Sequence, residues 1–235
     1  SHSQFRVCVL IKKILFFSMP KMYAIPGLST DHRIFDKLDI GEIEVLPWLI
    51  PEKGEPISSY AQRLGASIPQ EEEIVLLGFS LGGILSQELA AFKNVKQLIL
   101  LSTICHKEEK PSWFSILQAI PVYKWVGGRS LRSNAFPRIA PLLGIHDKDF
   151  SYSMQDMING FDPSLRTWAV EQVLHWKGGT DLPPTYRLHG TKDQIFPSRK
   201  VKRGEKIAEG DHFMLYLKAE IISHHISQAL SSSST

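Results

Sequence analysis

The stretch IVLLGFSLGG, residues 74–83, decides the fold of this chain. Its first four residues are apolar and predict a buried β-strand at 74–79, and the residues after Ser80 carry apolar side chains at helical spacing. Gly78 and Gly82 stand two residues before and after the serine, where larger side chains would collide in a sharp strand-to-helix turn. Because such a turn presents the serine hydroxyl to a base and a substrate, the stretch predicts a nucleophilic serine.

Strands and helices alternate on both sides of this stretch. Short apolar runs bounded by turn residues predict five further strands, at 22–25, 43–46, 97–101, 186–189 and 206–208. Apolar residues at helical spacing predict helices at 58–68, 81–92 and 213–230. Strands that are separated by helices indicate an α/β protein with a doubly wound, mostly parallel sheet.

Residues 106–179 interrupt this alternation. They include four of the five tryptophans, Trp113, Trp125, Trp168 and Trp176. Prolines divide the region into short helical pieces. An insertion between two sheet strands would lie over their carboxyl ends, the edge at which open α/β sheets bind ligands. We therefore expect one discontinuous core domain, 19–105 and 180–230, with a helical lid at 106–179.

Composition narrows the class of protein. The chain has 235 residues, 22% of them charged, and a net charge of +3, which is typical of a soluble globular protein and too weakly basic to indicate nucleic acid. Residues 1–18 are apolar but divided by Lys12 and Lys13, so neither half could span a membrane, and no signal-peptide cleavage pattern follows. This segment is either a strand on the core or an extension outside the fold, and we expect a cytoplasmic protein.

The cysteines and histidines predict no metal site. Cys8 and Cys105 fit neither a disulfide framework nor a metal-binding spacing. The nine histidines include no H-E-x-x-H motif and no cluster with cysteine. His224 and His225 are adjacent, point to different sides of a predicted helix, and are expected at the surface.

Two motifs further along the chain supply the partners that a serine nucleophile needs. Asp193 follows a predicted strand in HGTKDQIFP, residues 189–197, and His212 precedes the last predicted helix in GDHFM, residues 210–214. A histidine would take the proton of Ser80, and a carboxylate would orient that histidine and stabilise its charged form.

Other interpretations of these three residues stay open. Ser80 could be an ordinary turn serine, and His212 could have a structural role. Asp193 could be a capping or surface carboxylate, with Asp162 and Asp181 as alternatives for the acid. Three other histidines fit the position of the base less well, namely His106, His175 and His189.

From about residue 19 to residue 230 the chain resembles the α/β-hydrolase superfamily, whose members include serine hydrolases and esterases. The resemblance rests on PGL at 26–28, on GFSLGG, HGTKDQIFP and GDHFM, and on the order serine, acid, histidine. One departure is the spacing of 18 residues (212 − 193 − 1) between the acid and the histidine, which leaves little room for the helix that usually joins the last two strands.

The resemblance implies a role for each matching residue. Ser80 would be the nucleophile, Asp193 the acid and His212 the general base. The backbone amides of Leu28 and Leu81 would form the oxyanion hole.

These roles predict a serine hydrolase that cleaves a carboxylic ester or thioester through an acyl-enzyme, with no metal and no organic cofactor. The aromatic-rich lid favours a small-molecule substrate with an apolar part, and an exposed patch on the lid could support a homodimer. Two alternatives stay open: the same fold and triad could serve a lyase, a C–C hydrolase or an acyltransferase, or the protein could bind a ligand without catalysis.

Overall fold

The computed structural model of the protein describes residues 20–120, 136–143, 145–179 and 181–232. The predictions for residues 1–18, Cys8 and Trp125 lie outside the described residues. Six strands form one sheet: β1 (Lys21–Ile25), β2 (Ile43–Val45), β3 (Ile74–Phe79), β4 (Val95–Leu101), β5 (Thr185–Gly190) and β6 (Glu205–Ile207). Their order is β2-β1-β3-β4-β5-β6, and all the neighbouring strands run parallel.

The sheet is buried on both faces, which explains its nearly continuous apolar strands. In β3, Val75 and Leu77 pack into one hydrophobic cluster, whereas Leu76 packs into a second cluster on the opposite face. In β4, Ile99 and Leu100 divide between the same two clusters. The predicted doubly wound, parallel sheet is therefore confirmed.

The helices cover both faces of the sheet. In chain order they are α1 (Ile57–Leu64), α2 (Leu81–Leu89), α3 (Phe114–Ala119), α4 (Phe136–Ile139), α5 (Lys148–Gly160), α6 (Pro163–His175), α7 (Met214–Leu217) and α8 (Ala219–Ser232). Most buried apolar residues of α1, α2 and α6 belong to one cluster, and those of α5 and α8 belong to the other. Ile84 of α2 and Leu174 of α6 pack into a third cluster.

All three predicted helices differ from those observed. The helix predicted at 58–68 spans Ile57–Leu64, and residues 65–67 form turns. The helix predicted at 81–92 ends at Leu89, and residues 90–92 form turns. The helix predicted at 213–230 is divided into α7 and α8, because the backbone of Lys218 leaves the helical region, with φ −127° and ψ 37°. Residues 194–204 contain turns and no helix, as the short spacing between Asp193 and His212 indicates.

Because the strands are parallel, their carboxyl ends meet at one edge of the sheet. The segments that follow β1, β3, β5 and β6 at this edge carry the predicted site residues. Helices α3 to α6 lie in the chain between β4 and β5, within the predicted insertion. Among the described residues, no helix combines the length and the apolar character needed to cross a bilayer.

Candidate active site

Ser80 occupies a strained turn between β3 and α2. Its backbone has φ 53° and ψ −117°, a conformation that residues other than glycine rarely adopt. The turn is held on both sides, because Ser80 N donates to Leu101 O at 2.9 Å and Thr103 Oγ1 donates to Ser80 O at 2.7 Å. These two hydrogen bonds therefore hold the strained conformation of Ser80 at the carboxyl end of the sheet.

The two glycines around Ser80 are required by close packing. A Cβ atom on Gly82 would lie 1.9 Å from the carbonyl oxygen of Ile25, and one on Gly78 would lie 2.5 Å from the Cα of Gly83. Backbone atoms cannot move aside without displacing β1 or α2. The collision predicted from the sequence is therefore the reason that both positions carry glycine.

Asp193 is held in the turn that follows β5. Its Oδ1 accepts hydrogen bonds from the backbone amides of Ile195, at 2.9 Å, and Phe196, at 2.8 Å. The side chain is fully buried. Two amide donors fix the plane of the carboxylate and leave Oδ2 directed at the histidine.

His212 links the carboxylate to the serine. Its Nδ1 lies 2.8 Å from Asp193 Oδ2 and its Nε2 lies 2.9 Å from Ser80 Oγ. An ionised carboxylate only accepts hydrogen bonds, so Nδ1 carries the proton and Nε2 is left to accept from the serine hydroxyl. The structure therefore brings the three predicted catalytic residues together in one hydrogen-bonded chain.

The loops that carry the acid and the histidine meet at two glycines. A Cβ atom on Gly190 would lie 2.2 Å from the carbonyl oxygen of Gly210. Lys192 N donates to Gly210 O at 2.8 Å across the same contact. Since both glycines belong to the predicted motifs, this contact explains why the motifs carry them.

The electrostatics of the site favour an ionised acid. Burial alone would raise the pKa of Asp193, but the charge and hydrogen bond of His212 hold that pKa below its ordinary value. Asp211, next to the histidine in sequence, has its pKa raised by burial, and its Oδ1 accepts from Phe213 N. Asp193 is the carboxylate that contacts the imidazole, at 2.8 Å from Nδ1 of His212.

The segment after β1 carries Leu28 to the same place. The turn is closed by Thr30, whose amide and hydroxyl both donate to Gly27 O, at 3.0 and 2.8 Å. Ser29 has a positive φ of 61°, and its Oγ accepts from Arg166 Nε of α6 at 3.0 Å. Leu28 and Leu81 both line the cavity at the serine.

A cavity of about 360 Å³ opens at the serine and the histidine. Apart from Ser80 and His212, its lining residues are apolar: Leu28, Phe79, Leu81, Trp113, Phe114, Leu117, Val170, Val173, Leu174, Ile195, Phe196 and Phe213. The core and the predicted insertion each supply part of this wall. The sequence analysis did not single out the lining residues of α6, although their spacing at 170, 173 and 174 is that of one helix face.

Other residues considered from the sequence have structural surroundings. Asp162, an alternative for the acid, caps α6, and Cys105 is a buried thiol whose pKa burial raises to about 11. His189, which was set aside as the base, lies behind Asp193. Within residues 20–120, 136–143, 145–179 and 181–232, no group of three His, Cys, Asp or Glu side chains is placed to hold a metal ion.

No protein-family model matches the sequence, and no curated protein matches it either. Solved structures do resemble it. A thermophilic esterase from Thermogutta terrifontis has a TM-score of 0.65 and 18% identity over 92% of this chain and 91% of its own. A putative lipase from Acinetobacter baumannii has a TM-score of 0.68 and 15% identity, covering 92% of this chain and 85% of its own.

A structure from a study of carboxylesterases of Nitrososphaera gargenis has a TM-score of 0.69 and 13% identity, with 92% of each chain covered. Likenesses at this identity concern the path of the backbone. They agree with the parallel sheet, its strand order and the helices on both of its faces. The chain therefore has the α/β-hydrolase fold.

Proposed function

We propose that this protein is a serine hydrolase that cleaves carboxylic esters or thioesters. The observation that carries the proposal is the hydrogen-bonded chain from Ser80 through His212 to Asp193, at 2.9 and 2.8 Å, with an apolar cavity at its serine end. Three similar structures belong to proteins described as an esterase, a putative lipase and carboxylesterases, which supports ester hydrolysis as the reaction.

In the proposed mechanism His212 Nε2 removes the hydroxyl proton while Ser80 Oγ attacks the carbonyl carbon of the ester. The carboxylate of Asp193 stabilises the imidazolium that forms. The tetrahedral intermediate collapses, the bond to the alcohol breaks, and the imidazolium protonates the leaving alcohol. Water, deprotonated by the same imidazole, then attacks the acyl-enzyme. The bond between the acyl carbon and Ser80 Oγ breaks, the imidazolium returns its proton to Oγ, and the carboxylic acid is released.

The backbone amides of Leu28 and Leu81 would stabilise the negative charge on the carbonyl oxygen. Donors that are already oriented before the reaction need no reorganisation, and each is worth roughly 3–4 kcal/mol in comparable sites. Leu28 lies in a turn held by Thr30, and Leu81 opens α2, so both amides belong to fixed parts of the backbone.

The cavity favours a substrate with an unsubstituted apolar group. Among the described residues, the lining side chains that can form hydrogen bonds are those of Ser80, Trp113 and His212, so a charged or hydroxylated group placed deeper inside it would lose most of its hydration without compensation. At about 30 Å³ per water-sized group, a figure that already includes the space between groups, the 360 Å³ hold about twelve heavy atoms. We propose acyl groups of roughly six to ten carbons as the best fit.

We further propose that the insertion at 106–179 acts as a lid over the site. Trp113, Phe114 and Leu117, at the start of the insertion, and Val173 of α6 form one side of the cavity. The side chains of Ile116 and Ile120 point away from the cavity and are 62% and 57% exposed. A homodimer through this patch and a cytoplasmic location remain predictions, the first of which sedimentation velocity would test.

The first test is the loss of turnover on substituting the nucleophile. Ser80→Ala should reduce hydrolysis of p-nitrophenyl octanoate by at least about 10³-fold and abolish labelling by a fluorophosphonate probe. Ser231→Ala, which changes an exposed serine of α8, is the matched control and should retain both activities. Turnover that survives in Ser80→Ala would overturn the mechanism.

A panel of acyl chains then separates the reaction types. Hydrolysis that peaks at intermediate chain length supports the proposed substrate, whereas transfer of the acyl group to an added alcohol in preference to water indicates an acyltransferase. Probe labelling without turnover of any ester would favour a lyase or a C–C hydrolase. A protein that is neither labelled nor active would be a binding protein.

A further inference from the structure

His189 lies behind the acid of the site, at the end of β5. Its side chain is 1% exposed, and it is absent from the residues that line the cavity. Its Nε2 lies 2.8 Å from the carbonyl oxygen of Phe196 and 3.4 Å from Oδ2 of Asp193. Both neighbours are acceptors, so Nε2 carries a proton and donates chiefly to Phe196 O.

This contact closes the turn that holds the acid. The amides of Ile195 and Phe196 bind Oδ1 of Asp193, and the carbonyl of Phe196 is held by His189 in turn. The ring of Phe196 also packs edge-on against the imidazole of His212, with centroids 5.7 Å apart. The buried side chain of His189 therefore holds the segment that binds the carboxylate of Asp193 and packs against the imidazole of His212.

The second contact of His189 is with the acid itself. Oδ2 of Asp193 accepts from His212 Nδ1 at 2.8 Å, and His189 Nε2 lies 3.4 Å from the same oxygen. Because the proton of Nε2 is directed chiefly at Phe196 O, this second contact is a weaker electrostatic attraction, which favours the position of the carboxylate beside the base.

We propose that His189 is a positioning residue for the reaction, which holds Asp193 and, through it, His212 in the arrangement needed to activate Ser80. This inference rests on the proposed function. It assigns His189 no contact with substrate, so its substitution should change the chemical step and leave substrate binding unchanged.

The surroundings of His189 keep it neutral. Burial lowers its pKa, although Asp193 acts in the opposite direction, and Lys206 and His212 are the other titratable groups that affect it. A neutral ring offers one directed donor and adds no positive charge that would compete with the imidazolium of His212 for the acid.

Three substitutions test the proposal through geometry. Gln places its amide nitrogen near the position of Nε2, Asn places it near Nδ1, and Met keeps the volume without a donor. We expect His189→Met and His189→Asn to lower kcat about 10–100-fold, the range seen for outer partners of metal-bound histidines, with KM within about twofold. His189→Gln should recover most of the rate.

A double-mutant cycle tests the route through the acid. In the Asp193→Asn background the additional substitution His189→Met should reduce kcat by less than about twofold, because the carboxylate that it positions is gone. Three results would each overturn the positioning role. They are an equal fold loss of kcat in both backgrounds, an effect on KM in place of kcat, and a Gln variant whose kcat is no higher than that of the Met variant. If the Met variant does not fold, the comparison of Gln with Asn decides on the same criteria.

The failure of this inference is distinguishable from that of the proposed function. An unchanged kcat in His189→Met, together with turnover that depends on Ser80, overturns the role of His189 alone. A protein without Ser80-dependent turnover overturns both.

Discussion

At the scale of single residues, the acid of the site links catalysis to the stability of the protein. The pKa of Asp193 lies below its ordinary value in the folded protein, so folding favours its ionised form. This contribution is complete above the pKa of the unfolded chain, near 3.8, and is lost as the pH falls through the lower folded-state value.

We therefore expect the stability gap between the natural protein and Asp193→Asn to shrink as the pH falls below about 4. Asparagine does not titrate and retains an acceptor for the amides of Ile195 and Phe196, which makes it a suitable reference. Urea denaturation at a series of pH values measures the gap. A gap that widens as the pH falls below about 4 would mean that the fold raises the pKa of Asp193.

The three residues of the proposed triad were predictable because their signals are local. A strand, a glycine-flanked serine and a helix follow one another within residues 74–89, and Asp193 and His212 stand in short motifs of their own. The contact of His189 with Asp193 was not predicted. Its sequence signal, a polar residue at a strand end, fits many structural roles equally well.

At the scale of elements, the approach of the loops after β5 and β6 sets the distance between acid and base. Gly190→Ala would place a methyl group 2.2 Å from Gly210 O, so the loops must separate. We expect a loss of about 1–3 kcal/mol in the free energy of unfolding, and a lower kcat because Asp193 and His212 move apart. Chemical denaturation and steady-state kinetics measure the two effects.

Gly160→Ala is the control for this substitution. Gly160 ends α5, and a Cβ atom there would meet nothing within 4 Å. Alanine should leave the stability unchanged or raise it by up to about 1 kcal/mol, since it restricts the unfolded chain. Equal effects of the two substitutions would show that the contact at Gly190 is not tight in solution.

The sequence predicted which strands and helices are present better than it predicted the residues at which they end. The strand at 74–79 was predicted from a continuous apolar run and is observed with the same bounds. The division of the last helix at Lys218 was not predicted, because the apolar spacing continues across it and only the local backbone departs from a helix.

At the scale of the whole molecule, a buried ion pair connects the start of the insertion to the sheet. Arg187 of β5 donates to both carboxylate oxygens of Glu109, at 3.1 and 2.9 Å, and Glu109 also accepts from Cys105 N at 2.7 Å. Burial would raise the pKa of Glu109, but the guanidinium of Arg187 holds it below its ordinary value.

Glu109→Ala should lower the free energy of unfolding by about 3–5 kcal/mol, because it leaves a guanidinium charge buried without its carboxylate. Glu73→Ala removes the partner of Lys96 in a more exposed pair and should change it by no more than about 0.5 kcal/mol. Thermal and urea denaturation of both variants make the comparison. Similar small losses in both would mean that solvent reaches Arg187.

This pair and the cavity wall were beyond prediction from one sequence for the same reason. Glu109 and Arg187 are 78 residues apart, and the cavity joins residues from β3, α6 and the loop after β5. Local periodicity shows that a side chain is to be buried, but the partner against which it packs depends on the assembled fold.

One part of the cavity wall lies far from the reactive groups along the chain. Val170, Val173 and Leu174 form the wall on α6, whereas Ser80 and His212 belong to loops at the edge of the sheet. Directed evolution of substrate range can therefore randomise the α6 positions as a cassette. Such a library would change the shape of the acyl chain that the cavity accepts, and every member would keep Ser80, Asp193 and His212.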